Sequence, residues 1–304
     1  MKKILLAGKN GQVGWELQRT LATLGNVVAV DRQGMDLASP DSIRNAIRTI
    51  RPDLIVNAAA YTAVDKAESE PELAMAINGI APGIMAEEAK RLGAAMVHYS
   101  TDYVFDGTKT SPYTEEDAPN PLSVYGKTKL AGEQAIQAAG IPHLILRTSW
   151  VYGLRGRNFL LTILRMAKER DELKIVNDQI GAPTWCRVIA EATAQILAQH
   201  KVGLSEISGL YHLTASGQTS WHGFAKAILE SMASQGGNSL PITDHTLPKV
   251  TPIATSEYPF PALRPKNSLM STEKILQIFG LVLPDWRDTL EICLENYSAT
   301  TKYC

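Results

Sequence analysis

The stretch Lys3–Leu17, KILLAGKNGQVGWEL, decides how the chain is read. A strand-like apolar run leads straight into glycines at 8, 11 and 14, and a helix-like run follows at once. This is the context of a dinucleotide-phosphate loop. Gly8, Gly11 and Gly14 let the backbone approach a pyrophosphate, while the helix N-terminus brings N–H donors and a positive dipole end. A glycine triplet alone marks a tight turn just as readily. The strand, the helix and a second strand-like run, NVVAV, ending at Asp31 make the phosphate loop the stronger reading. Asp31 lies 17 residues after Gly14, near where an acidic side chain meets an adenosine ribose. Arg32 suits a 2′-phosphate instead, so both NADH and NADPH fit. Asp36 and Leu37 are placed to border the adenine, although that stretch alone reads equally as a loop.

Outward from this loop, continuous apolar runs recur at Asp53–Asn57, Ala95–Ser100 and His143–Thr148. Continuous rather than alternating runs suit strands covered on both faces. Helix-like stretches separate them at Gln12–Leu24, Ser39–Ile50, Glu72–Leu92 and Val124–Ala139, with Pro40 after a Ser39 cap. The repeating order predicts an α/β fold: a doubly wound parallel sheet of Rossmann type, with a smaller C-terminal α/β substrate domain. The division expected is 1–152 for the cofactor, receiving part of 183–216, and 153–304 mainly for the substrate. Beyond Gly153, helices are expected at Asn158–Arg170, Val188–Gln199, Ser271–Phe279 and Asp285–Asn296, with strands at Glu172–Asp178 and Gly209–Ala215. Pro241–Pro265 holds six of the sixteen prolines and reads as a loop walling a cleft.

Composition excludes several classes. With 45% hydrophobic and 20% charged residues and a net charge of −1, the chain has no broad attraction for nucleic acid or anionic membrane. No apolar run reaches membrane-spanning length, and "ILLA" is too short for a signal peptide. Cys186, Cys293 and Cys304 are few and widely spaced, which suits a reducing cytoplasm. His98, ending a strand-like run, reads as packed or hydrogen-bonded rather than catalytic.

SVYGKTKLAG, Ser123–Gly132, stacks Tyr125 and Lys129 on one helical face. Alone, this is an ordinary surface pair. However, the GxxGxxG spacing, NAAAYTAVDKAE after the third strand and YSTDYVFDG after the fourth resemble the extended short-chain dehydrogenase/reductase superfamily. Thr101 then stands where that superfamily carries its Ser/Thr, 24 residues before Tyr125. The resemblance implies that Thr101, Tyr125 and Lys129 are catalytic, with Tyr125 and Lys129 also touching the cofactor. Carbonyl reduction needs a hydride on carbon and a proton on oxygen. A cation ~4 Å from a phenol contributes roughly 4 kcal/mol at an effective dielectric of 20. That would draw a tyrosine from ~10 toward ~7, and Lys129 is expected to do this. Thr101 would steady charge developing on the substrate oxygen.

GKNGQVGWEL, HYSTDYVFDG, YGKTKLAGE, RTSWVYG, NDQIGAPT and RPKNS together resemble the dTDP-4-dehydrorhamnose reductase family. The resemblance implies NAD(P)H-dependent reduction of a dTDP-sugar C4 ketone, the last step of dTDP-L-rhamnose formation. It implies that Gly11, Gln12 and Val13 line the pyrophosphate and that Ala60, Tyr61, Thr62 and Tyr99 border the cofactor. It further implies that Thr101, Asp102, Trp150 and Arg264 meet the sugar nucleotide. Some members form a homodimer bridged by Mg²⁺ on glutamates. Glu16 matches one such position, but Arg187 and Asn296 stand at the others, so the metal is not carried over and dimerisation stays open. Two rivals remain at this level: a sibling keto-sugar reductase, epimerase or dehydratase, and a non-catalytic NADP-binding subunit like that of methionine adenosyltransferase.

Overall fold

The computed structural model describes residues 2–199, 204–234, 247–258 and 260–301, and side chains up to 297. The chain runs β1 (Lys3–Ala7), α1 (Gln12–Leu21), β2 (Asn26–Val30), α2 (Pro40–Ile50), β3 (Leu54–Asn57), α3 (Val64–Ala67), α4 (Pro71–Met75), a π-turn (Ala76–Ile80), α5 (Ala81–Leu92), β4 (Ala95–Thr101), α6 (Val124–Ala139) and β5 (His143–Thr148). The second part holds β6 (Val151–Tyr152), α7 (Phe159–Glu169), β7 (Glu172–Val176), β8 (Ile180–Gly181), β9 (Thr184–Trp185), α8 (Cys186–Gln199) and β10 (Gly209–His212). It ends with β11 (Thr219–Ser220), α9 (Trp221–Ser234), β12 (Lys249–Ile253), α10 (Glu273–Phe279) and α11 (Trp286–Thr301).

Among the described residues the main sheet has six parallel strands in the order β10-β5-β4-β3-β1-β2. The order reverses between β1 and β3, and the crevice at that switch, beyond the strands' carboxyl ends, is where such sheets bind ligands. The apolar runs β1, β3 and β5 are buried because helices cover both faces. One face packs Leu17, Leu21, Ile189 and Ile196 of α1 and α8 on the sheet, and the other packs Ile43, Ile47, Met85 and Ile136 of α2, α5 and α6. A separate core around Phe224, Leu164 and Trp286 joins α7, α9 and α11.

Local chemistry sets the ends of α6. The Ser123 hydroxyl accepts from Gly126 N at 3.2 Å, and Gly140 closes the helix at φ +66°. The start matters because it fixes Tyr125 and Lys129 in the helix's first turns.

Three features differ from the sequence expectation. The single helix expected over 72–92 is broken by the π-turn. Pro82 has no N–H, and its ring would strike the Asn78 carbonyl of a regular α-helix, so the chain takes a wider turn there. The expected proline-rich loop contains β12, which pairs parallel with β7 through Pro252. Proline is tolerated because β12 is an edge strand. Pro241 and Pro259 of that stretch lie outside the described residues, as does Cys304. Finally, α9 was not anticipated at all.

The displaced Asn78 carbonyl meets α6 at Gly132, where a Cβ would lie 2.2 Å from that oxygen. Gly132→Ala is therefore expected to force the helices apart and cost ~1–3 kcal/mol. A lowered urea midpoint would show this; an unchanged one would mean that the π-turn shifts freely.

Candidate active site

The loop after β1 is built by contact between its own glycines. Gly8 has φ +86°, and a Cβ on Gly14 would sit 2.1 Å from the Gly8 carbonyl oxygen. The loop folds tightly under the start of α1, leaving backbone rather than side chains facing the crevice. Gln12 is tied down: its Nε2 donates to the Val151 carbonyl at 3.3 Å and its Oε1 accepts from Asn158 at 2.8 Å. Val13 packs between the two cores.

A small groove of about 140 Å³ beside this loop is lined by Gly8, Asp31, Arg32, Asp36, Leu37 and Ala60, among others. Lys9 pairs with Asp31 at 3.1 Å, and Gln33 N and Gly34 N donate to it, so its carboxylate lies below the usual range. Arg32 pairs loosely with Asp36 at 3.4 Å and is otherwise exposed. These residues and the glycine loop form a cradle that fits a dinucleotide. Tyr61 and Thr62 continue it after β3. Tyr61 is held through its hydroxyl, which donates to Glu70 at 2.7 Å, and through its backbone N–H, which donates to Asn78 Oδ1 at 2.8 Å; Thr62 is exposed.

Thr101 ends β4, and Tyr125 and Lys129 reach the same region from α6. The Thr101 hydroxyl donates to Asp102 Oδ1 at 3.0 Å and accepts from Tyr103 N at 3.2 Å. Burial pushes the Tyr125 phenol up to about 12, a hydrogen bond with Thr101 draws it back, and the Asp102 charge adds to the rise. Burial likewise raises the Asp102 carboxyl to about 6, against the hydrogen bond it accepts from Thr101.

Lys129 is 2% exposed and donates to the Tyr99 carbonyl at 2.6 Å, with His98 Nε2 at 3.2 Å. Burial lowers it to about 8, partly countered by Glu133. The expectation that Lys129 draws the phenol down toward ~7 is thus corrected for this structure. The amine is turned to Tyr99 and His98, and the desolvation of Tyr125 outweighs any help. Beneath Lys129, Glu133 and Arg147 form a buried bidentate pair at 2.9 and 2.7 Å.

Tyr99 reaches the site by its backbone, through the carbonyl that meets Lys129. Strand alternation sends its phenol to the α8 face, where it bonds Thr193 at 2.8 Å inside the core. Only its carbonyl serves the site. Trp150, at φ +47°, stacks on Trp221 with ring centroids 3.5 Å apart. Arg264 donates to both Asp65 oxygens at 3.1 and 2.7 Å and lies over the Phe260 ring, so its fork is already engaged. Glu16 accepts from Arg187 at 3.4 Å and from Arg19 at 3.3 Å.

Arg264 also borders a cavity of about 750 Å³ that includes Phe159, Lys174, Gln179, Trp221, Tyr258 and Phe260. Tyr103 links this cavity to the site: it hydrogen-bonds Arg264 and meets the Tyr125 ring edge-on at 5.6 Å. Sequence reasoning missed Trp221, Gln179 and Asn78. For Asn78 the available signal was an asparagine inside the helix pattern of AINGIAP, which needs partners, and for Gln179 its place in NDQIGAPT.

The fold is that of the short-chain dehydrogenase/reductase class. The model of the RmlD substrate binding domain family matches residues 1–299. The dTDP-4-dehydrorhamnose reductase of Burkholderia thailandensis is 50% identical over 297 residues, 97% of this chain and 98% of that one. That of Escherichia coli K12 is 49% identical over 304 residues, covering 98% and 99%. The chain belongs to the dTDP-4-dehydrorhamnose reductase family. Among solved structures, the Clostridium acetobutylicum reductase superposes with a TM-score of 0.87 at 36% identity, covering 97% of this chain and 99% of that one. The Bacillus anthracis enzyme, in complex with NADP, gives 0.85 at 33%, covering 97% and 99%. The fold alone extends further, to Thermus thermophilus UDP-glucose 4-epimerase with NAD, at TM-score 0.78 and 18% identity, covering 97% and 98%.

The burial of Lys129 predicts a pH effect on stability. Unfolded, it keeps its proton up to the ordinary 10.5; folded, only to about 8. Between those values the unfolded chain binds the extra proton, so raising pH favours the folded chain. Wild type is expected to gain stability relative to Lys129→Met as pH rises through that window. A constant difference between the two urea midpoints would contradict the burial argument.

Proposed function

We propose that this chain reduces the C4 ketone of dTDP-4-dehydro-β-L-rhamnose to dTDP-L-rhamnose, using NADPH or NADH. The observation that carries the reading is the placement of Thr101 at the end of β4, beside Tyr125 and Lys129 one turn apart on α6, at the carboxyl end of a cofactor-type sheet. The half-identity to named reductases over nearly the full length supports the substrate.

When bound, the reduced nicotinamide supplies the hydride. The chain's residues do the rest. The loop at Gly8, Gly11, Gln12, Val13 and Gly14 holds the pyrophosphate through backbone N–H groups and the α1 N-terminus. Asp31, Arg32, Asp36 and Leu37 take the adenosine end, and Ala60, Tyr61 and Thr62 border the ring end. Lys129 holds the nicotinamide ribose. Thr101 turns its hydroxyl proton from Asp102 to the ketone oxygen, and Tyr125 gives that oxygen its proton. A phenol near 12 is fully protonated at neutral pH, the form reduction requires. A charged Lys129 then steadies the phenolate left behind. Asp102 anchors Thr101, and the aromatic cavity beyond Tyr103, with Trp150 stacked on Trp221 beside Gln179, receives the sugar nucleotide. Arg264 would meet the diphosphate by exchanging part of its Asp65 pairing. The division of labour we infer gives 1–152 and part of 183–216 to the cofactor and the rest of 153–304 to the substrate. The pairing of β10 beside β5 supports it.

The test is oxidation of NADPH and of NADH with dTDP-4-dehydrorhamnose generated in situ. Turnover is expected to require the sugar and to fall ~10²–10⁴-fold in Tyr125→Phe, with cofactor affinity kept. Tightly held NAD⁺ that is recycled without net consumption, or turnover indifferent to Tyr125, would overturn the proposal.

A further inference from the structure

Asn57, His98 and Lys129 stand in a row under the carboxyl end of the sheet, each at most 2% exposed. Asn57 and His98 are register partners on β3 and β4, and Lys129 comes down from α6. His98 Nδ1 lies 3.1 Å from Asn57 Nδ2, and His98 Nε2 lies 3.2 Å from Lys129 Nζ. Both ring nitrogens therefore face a nitrogen. A neutral imidazole has one N–H and one acceptor nitrogen, so the neighbours decide which is which.

The Asn57 amide settles the first choice. Its Oδ1 accepts from Ala59 N at 3.2 Å. Turning the amide over would set its NH₂ against that backbone N–H, donor against donor. With Oδ1 committed, Nδ2 is the group facing His98, and Nδ1 must accept. The imidazole proton then sits on Nε2 and points at Lys129. Lys129 Nζ has already committed one N–H to the Tyr99 carbonyl at 2.6 Å. An ammonium has no lone pair to receive the His98 proton, whereas a neutral amine does.

We propose that His98 is a positioning residue which, held by Asn57, presents Nε2–H to Lys129 and so disfavours the charged form of that lysine. The inference deepens the reductase reading and, for its effect on turnover, rests on it. Lys129 can become an ammonium only if His98 moves its proton to Nδ1, against the Asn57 NH₂, or if Asn57 gives up Ala59 N. His98 thereby lowers the pH at which the cation serving Tyr125 is lost.

The other charged neighbours do not supply this bias. On α6 itself Glu133 favours the charged lysine, and it is locked to Arg147 of β5. Glu88 of α5 turns away to Arg48 and Arg91. Beside the start of α6, Glu68 accepts from Val124 N and Glu70 pairs with Lys66. Asp102, after β4, is held by Thr101. Burial keeps His98 itself well below its ordinary value, with the Lys129 charge adding to that, so it acts as a neutral ring.

Two NMR measurements on the whole chain test this without cofactor or sugar. In ¹⁵N-histidine protein at a pH above the Lys129 titration, the His98 signals, assigned by their loss in His98→Gln, are expected to show the Nε2–H tautomer. In protein with ¹³Cε-lysine, Lys129, assigned by its loss in Lys129→Met, is expected to titrate higher in His98→Gln, whose amide oxygen accepts from an ammonium. The expected rise is about one pH unit, a tenfold change in proton affinity. Asn57→Leu removes the Nδ2–H donor that makes Nδ1 accept, adds no charge, and is expected to raise Lys129 in the same direction; it serves if His98→Gln does not fold. An Nδ1–H tautomer in wild type above the Lys129 titration, or an unmoved Lys129 titration in the folded variant, overturns the proposal. The alkaline fall in keto-sugar turnover is expected to shift upward with the titration. If the NMR results hold while no keto-sugar is reduced, the reductase reading fails and the role of His98 stands.

Discussion

A lysine amine buried under the end of a parallel sheet is the constraint on which the rest of the site depends. Lys129 sits there with its Nζ donating to the carbonyl of Tyr99, one residue past the last register pair of β4 with β3, at 2.6 Å. Burying such a group without partners is very costly, so its surroundings must be polar and rigid. They are: Glu133 and Arg147 pair beneath it, His98 and Asn57 flank it, and Thr128 on the same helix is bonded by Asn78 at 3.3 Å. This polar layer occupies one sheet face, where a core of aliphatic residues would otherwise lie.

The layer also explains the helix opposite. Asn78 bonds the Tyr61 backbone twice, at 2.8 and 3.0 Å, and so fixes the loop after β3. It can do this because Pro82 opens the helix into a π-turn, and the opened carbonyl fits only against Gly132 of α6. One proline, one asparagine and one glycine thus hold the cofactor-side loop and the catalytic helix in a fixed relation. None of the three touches a reacting atom.

The second core contributes a different kind of surface. Trp150 leaves the end of β5 with a left-handed backbone and lies flat on Trp221 of α9. The strained conformation is sustained by that stacking and by the Ser149 hydroxyl, which donates to the Ala182 carbonyl at 2.9 Å. The aromatic cavity and the Tyr103–Arg264–Asp65 cluster lie where this core meets the sheet. Arg264 is already paired there with both Asp65 oxygens.

Sequence alone determined what local chemistry can carry. The apolar runs of β1 to β5, the glycine loop before α1, the Ser39 cap ahead of Pro40 and the four-residue spacing of Tyr125 and Lys129 are properties of neighbouring residues, and each has the expected form. The π-turn was written in Asn78 and Pro82, yet regular periodicity hid it. Tertiary structure decided everything that depends on which strand lies beside which. It put His98 against Asn57 and Lys129, turned the Tyr99 phenol away from the site while leaving its carbonyl in it, and brought Trp221 onto Trp150 from 71 residues along the chain. It also set the protonation behaviour of Tyr125 and Lys129, because desolvation belongs to the packed interior and has no trace in spacing.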